Sequence, residues 1–160
     1  MTSPIAGTAE QPVSDTDYIQ LNRLVIEAVW RIDLGRADTY HELFVEDGEL
    51  ILPPTTDRGR VVVPETTLRG RQAIHEWGRR LLEAQPFGTI RHVCGNMRFV
   101  ADGANAAVGR TILTVFMVAG PGASTTLPWR VGEDHDRFRR TEQGWSIASR
   151  RWVELFSRPE

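Results

Sequence analysis

The second half of the chain divides into four long strand-like stretches, Thr89–Ala101, Asn105–Ala119, Thr126–Arg140 and Trp145–Phe156. The turn signals Asp102-Gly103, Gly120-Pro121-Gly122 and Glu142-Gln143-Gly144 separate them. Consecutive strands joined by tight turns form an antiparallel meander, and a meander needs a second layer to cover its apolar face. The first half supplies helices for that layer. Ser14, Asp15, Thr16 and Asp17 are capping residues. Beyond them Ile19, Asn22, Val25, Ile26, Val29 and Ile32 recur at three- and four-residue steps, with Gln20, Arg23, Glu27 and Arg31 on the opposite side and Gly35 as a stop. A short second helix is expected over about Ala37–Phe44, and a third over Arg69–Ala84 with Ile74, Trp77, Leu81 and Leu82 facing inward. Between them Leu50-Ile51-Leu52 reads as a short strand stopped by Pro53-Pro54, followed by a loop rich in Thr, Arg and Gly.

This order gives an α+β fold, and 160 residues suffice for one domain. Met1–Val13 is small, polar and proline-containing, which predicts a disordered lead-in rather than a signal peptide, with the domain over residues 14–157. No apolar run approaches the roughly 20 residues that span a bilayer, so no membrane association is expected.

Composition removes several chemistries. All 19 basic residues are arginine, which excludes Schiff-base chemistry, a lysine base and a Walker-type phosphate loop. The net charge of −2 gives no footprint for nucleic acid. The single cysteine, Cys94, excludes an intramolecular disulfide and a cysteine-rich zinc cluster, and suits a reducing cytoplasm. No two histidines stand at metal-ligand spacing, so no metal is expected. Acid–base chemistry then falls to carboxylates and to His41, His75, His92 and His135.

Asp33 is the first anomaly. Helical steps back from it reach Val29, Ile26, Val25 and Asn22, so a carboxylate sits on the buried stripe, where it needs a partner. The plain alternative is a helix-end acid that reaches solvent or pairs with Arg36. His92 is the second: alternation puts it on one face with Ile90, Cys94 and Asn96. A histidine paired with a buried aspartate has a fixed tautomer and raised basicity. In Glu133-Asp134-His135-Asp136, either His135 or the two aspartates can face inward; pairing His92 with about Leu113, and Leu113 with about Gly132, favours Asp134. A bulge would reverse this. Arg150 and Arg151 must point opposite ways, so one can offer a permanent charge inside, beside Trp152. His41 and His75, next to Glu42 and Glu76, read as rim or surface residues.

The ordered set "RIDLGRAD", "LFVEDGELIL", "LRGRQAIHEW", "RHVCGNMRF" and "DRFRRTEQGWSIASRRW" resembles the SnoaL-like branch of the nuclear-transport-factor-2-like superfamily, from about Asp15 to Phe156. The resemblance implies a cone-shaped barrel: a strongly bent, mostly antiparallel sheet wrapped around three N-terminal helices, with an apolar pocket at the wide end and homodimers or higher homo-oligomers. In members resembling scytalone dehydratase and the dehydrochlorinase, an aspartate near the end of the first helix and a histidine early in the third strand share the pocket. Asp33 and His92 fall at those positions, and Arg150 at that of a dehydrochlorinase arginine. The tyrosine pair and second histidine of the dehydratase, and the lysine of the dehydrochlorinase, have no counterpart here.

The reading implied is a lyase or isomerase without a cofactor, acting on a hydrophobic cyclic molecule. His92 takes a proton from carbon, Asp33 holds the imidazole, and Arg150 or Asp134 handles charge on the leaving group or oxygen. Trp30, Cys94, Met117 and Trp152 are expected pocket walls. The alternatives are a binding or assembly protein of the same fold, in which the dyad is structural, and an epoxide hydrolase or polyketide cyclase.

Overall fold

The computed structural model describes residues 10–57, 60–84, 88–120, 122–125 and 127–157. Helix α1 spans Asp15–Asp33, with Ser14 as its N-cap accepting from the Asp17 N–H. Acidic Asp15 and Asp17 lie in its first turn, where the helix dipole favours them. Leu34 and Gly35, the latter at φ 68°, end it. A 3₁₀ helix, Ala37–Leu43, leads into strand β1, Phe44–Leu52. Strands β2 (Thr55–Asp57), β3 (Arg60–Val63) and β4 (Thr66–Arg69) follow, then helix α2, Gly70–Ala84. The meander is β5 (Ile90–Ala101), β6 (Ala106–Met117), β7 (Arg130–Thr141) and β8 (Gly144–Ser157).

These strands form a curved, unclosed six-stranded sheet in the order β4-β1-β8-β7-β6-β5, with β2 and β3 pairing separately. Only β1 and β8 run parallel; the other neighbours are antiparallel. Leu21, Val25 and Ala28 of α1 pack with Tyr40, Phe44, Leu50, Ile74, Phe99, Phe138 and Ile147 in one core. Helix α2 approaches the 3₁₀ helix at Gly78, where any side chain would run into the Ala37 carbonyl. The Asp17 carboxyl accepts from Trp145 and Arg140, which hold it below the usual carboxylate range and fasten the start of α1 to the β7–β8 turn.

Three expectations need correction. The first strand begins at Phe44, not Leu50: Glu46, Asp47 and Gly48 lie in an irregularity of β1 at which the pairing with β8 shifts. The expected loop after Pro54 contains a hairpin, β2–β3, and an edge strand, β4, whose Leu68 pairs with Leu50. In β5, Asn96 at φ 48° lies in a bulge between Gly95 and Arg98, so the alternation switches there. Asn96 is exposed, while Met97 packs on the core and Phe99 is buried. Residues 1–9 of the expected disordered lead-in lie outside the described residues; Gln11 accepts from the Ala101 N–H and Pro12 bridges to Val100. No helix among the described residues is long and apolar enough to cross a membrane.

Candidate active site

The helix that buries Val25 and Val29 also carries Asp33 inward at its last residue, where it is 7% exposed. A carboxylate at a helix C-terminus opposes the dipole and needs donors. β5 provides them: the His92 backbone N–H donates to Asp33 Oδ2 at 3.0 Å, and His92 Nδ1 lies 2.6 Å from Oδ1. Arg91 donates to the Asp33 carbonyl at 2.6 Å. Because an ionised carboxylate only accepts, the neutral imidazole carries its proton on Nδ1 and leaves Nε2 with a lone pair.

His92 lines a cavity of about 200 Å³ between α1, the 3₁₀ helix and the inner face of the sheet. Val29, Ile32, Leu50, Leu52, Trp77, Leu113, Val115, Trp129 and Trp152 make it largely apolar, and Tyr40, Asp134, Arg130 and Arg150 are its other polar residues. An apolar cavity of about 150 Å³ takes a benzene ring, so this one accepts a substituted ring.

The expected register holds in parity. His92 stands opposite Val115, two residues from the expected partner, because the turn runs from Asp102 to Ala106 and β5 is bulged. Leu113 pairs with Gly132 as expected, which brings Asp134 to the cavity and turns His135 out, 2.7 Å from Glu133.

Asp134 belongs to a buried cluster. Arg150 is 3% exposed and donates from Nε and Nη2 to the two oxygens of Asp136, both at 2.7 Å, and from Nη1 to the Tyr40 hydroxyl at 3.0 Å. Its Nη1 is also 3.5 Å from Asp134. Burial lifts the Asp134 carboxyl to about 6; Arg150 opposes the rise and the Asp136 charge adds to it. Burial likewise raises the Tyr40 phenol to about 12 and pushes the Cys94 thiol up. Burial works against the charge on Arg150, but Asp134 and Asp136 outweigh it and hold the guanidinium well above its usual range.

A raised carboxyl opposes folding once it ionises, so the stability associated with neutral Asp134 is lost as pH rises from about 4 through 6. Asp134→Asn is therefore expected to melt higher than the parent protein at pH 8, by roughly 1–3 kcal/mol, with the gain fading toward pH 4. Thermal unfolding of both proteins across that range measures it. A lower melting temperature for the variant at pH 8 would mean that the Arg150 ion pair dominates.

A sequence model of the SnoaL-like domain family matches residues 15–151. The chain belongs to the SnoaL-like family. Among solved structures, the domain is similar to a nuclear-transport-factor-2-like protein with a cystatin-like fold from Novosphingobium aromaticivorans, at 26% identity and a TM-score of 0.66 over 88% of this chain and 82% of that one. It is also similar to a candidate scytalone dehydratase from the same organism, at 14% identity and a TM-score of 0.68 over 92% of each chain. The beta subunit of a candidate aromatic-ring-hydroxylating dioxygenase from that organism matches at 18% identity and a TM-score of 0.67, over 88% of this chain and 90% of that one. The last two likenesses concern the fold alone. No curated protein matches the sequence significantly.

Within the SnoaL-like domain, His92, Asp134, Arg150 and Trp152 line one cavity and Asp33 touches His92, but three other expected wall residues do not line it. Trp30 is 53% exposed, because it sits one step off the stripe that carries Val29 into the cavity. Cys94 and Met117 share the inward face of the sheet yet do not line the cavity. Arg150 lines it with all three nitrogens already engaged. Tyr40, Trp129 and Arg130 were not anticipated as site residues, whereas Asp136 turns inward with Asp134 as one of the two arrangements weighed for that strand. Parity contained the signal for Arg130, which shares the face of Asp134 and Asp136. Nothing local marks Tyr40, which a 3₁₀ helix delivers from the other layer. His41 and His75 are half-buried, with ring centres 4.7 Å apart where the 3₁₀ helix meets α2. Arg151 turns outward to Glu65.

Proposed function

We propose that this SnoaL-like domain is a lyase or isomerase that removes a proton from carbon in a hydrophobic cyclic substrate. The observation that supports this reading best is the 2.6 Å contact between Asp33 and His92 at the wall of an apolar cavity. His92 Nε2 takes the proton, and the C–H electron pair enters a new carbon–carbon double bond. The imidazolium that results is stabilised by Asp33. For elimination, a hydroxyl on the next carbon leaves with its bonding pair and takes a proton from neutral Asp134, departing as water. For isomerisation, the imidazolium returns the proton to a different carbon. A positioned base of this kind contributes about 10²–10⁴-fold, and a low-dielectric cavity strengthens each charge interaction.

Incubation in D₂O with cyclic ketones and β-hydroxy ketones small enough for the cavity tests the reading. The parent protein is expected to place deuterium on the carbon beside the carbonyl or to form the enone, and His92→Ala to do neither above background. Saturable binding across the set without either reaction would leave a binding protein with a structural dyad.

A further inference from the structure

Proton abstraction from carbon needs a second group where the negative charge arrives, since an enolate oxygen left without a donor in an apolar cavity is costly. Arg150 is already engaged in the buried cluster, where Asp136 holds Nε and Nη2 while Tyr40 takes Nη1. Arg130 is placed differently. It lines the same cavity, its guanidinium lies 4.0 Å over the ring of Trp129, and its Nη1 is 3.3 Å from Glu154. Its Nε is buried without a hydrogen-bond partner. A buried donor left unpaired is destabilising, so one on a residue that lines the cavity is suited to a ligand's acceptor once the side chain turns toward it.

We propose that Arg130 holds the carbonyl oxygen of the substrate on its Nε–H while His92 takes the proton from the neighbouring carbon. The sheet puts the two residues in one row: His92 pairs with Val115, and Val115 with Arg130. Two strand spacings separate their backbones by roughly 10 Å, leaving room for a carbonyl and its adjacent carbon between the side chains. When the C–H bond breaks, its electron pair forms the C=C bond of the enolate and the carbonyl π pair moves onto oxygen, opposite Arg130. Glu154 already offsets part of the guanidinium charge, and Asp134 lies in the same cavity. The site therefore suits a neutral carbonyl that gains charge during reaction better than a substrate that enters as a carboxylate. Trp129 stacks against the guanidinium and restrains it beside the cavity.

This role rests on the proton-abstraction reading and narrows its substrate to a ring bearing an enolisable carbonyl. 4-Nitrophenol, about the size of the cavity, tests it without turnover, because its phenolate resembles the enolate and its absorbance reports ionisation. The parent protein is expected to bind it and to lower the pH at which the bound phenol ionises. Arg130→Met and Arg130→Gln should bind about ten- to a hundredfold more weakly and restore the free phenol's titration, since a hydrogen bond to a charged group carries about 1.5–3 kcal/mol. Arg130→Lys, which keeps the charge but lacks Nε, should recover only part. His92→Ala should keep the shift, so catalysis and oxygen binding fail separately. Binding and titration unchanged in Arg130→Met, or no binding by the parent protein, would overturn the role of Arg130.

Discussion

Asp33→Asn is expected to cut turnover by about 10³–10⁴-fold while the protein stays folded. The amide has the shape of the carboxylate, and its oxygen can still accept from the His92 backbone N–H. Its NH₂, however, now faces His92 Nδ1, a position the parent protein fills with an acceptor 2.6 Å away. Nδ1 must then accept, the ring proton moves to Nε2, and the nitrogen facing the cavity loses its lone pair. The base is present but in the wrong tautomer. Removing a buried charge at a helix C-terminus relieves an unfavourable dipole interaction, so little change in melting temperature is expected. Turnover numbers and thermal unfolding of the purified variant separate the two effects. Retention of more than about a tenth of the activity would end the role of Asp33 in setting the tautomer.

Arg150→Met is expected to have the largest effect on stability, about 3–5 kcal/mol at pH 8. The side chain is of similar length and apolar, so packing is largely kept, but Asp134 and Asp136 are left in one buried cluster without their shared cation. Both carboxyls then face desolvation and each other's charge. The cost is expected to shrink at pH 5. Asp134 already titrates at about 6 with Arg150 lowering it, and without that charge it protonates at still higher pH. Urea unfolding at the two pH values measures the difference. An equal loss at both would identify packing, not charge, as the contribution of Arg150.

How much of this was visible in the sequence depends on whether the signal is local. Asp33 could be placed because helical spacing ties it to Val25 and Val29, and a charge on that stripe is rare enough to need an explanation. Asp134 could be placed because strand parity carries across a hairpin even when the register slips by two residues, as it did at His92. The same parity misplaced Asn96, where one residue in a left-handed conformation reverses the faces of β5. Trp30 was expected at the cavity, but its position one step beyond Val29 sends it to solvent. Tyr40 and Trp77 come from the 3₁₀ helix and α2, and their place in the site depends on how those elements dock against the sheet, including the close approach at Gly78. β1 was cut short because its acidic irregularity has the composition of a turn.

In the proposed reaction Asp33 keeps the proton of neutral His92 on Nδ1 and leaves Nε2 as the base. Nitrogen NMR of protein labelled in its histidine rings reads this directly, with His92→Gln used to assign the signals. At a pH where the ring is neutral, Nδ1 is expected at the position of a protonated ring nitrogen and Nε2 at that of a bare one, with the two exchanging places in Asp33→Asn. A proton on Nε2 of neutral His92 in the parent protein would contradict its role as the base.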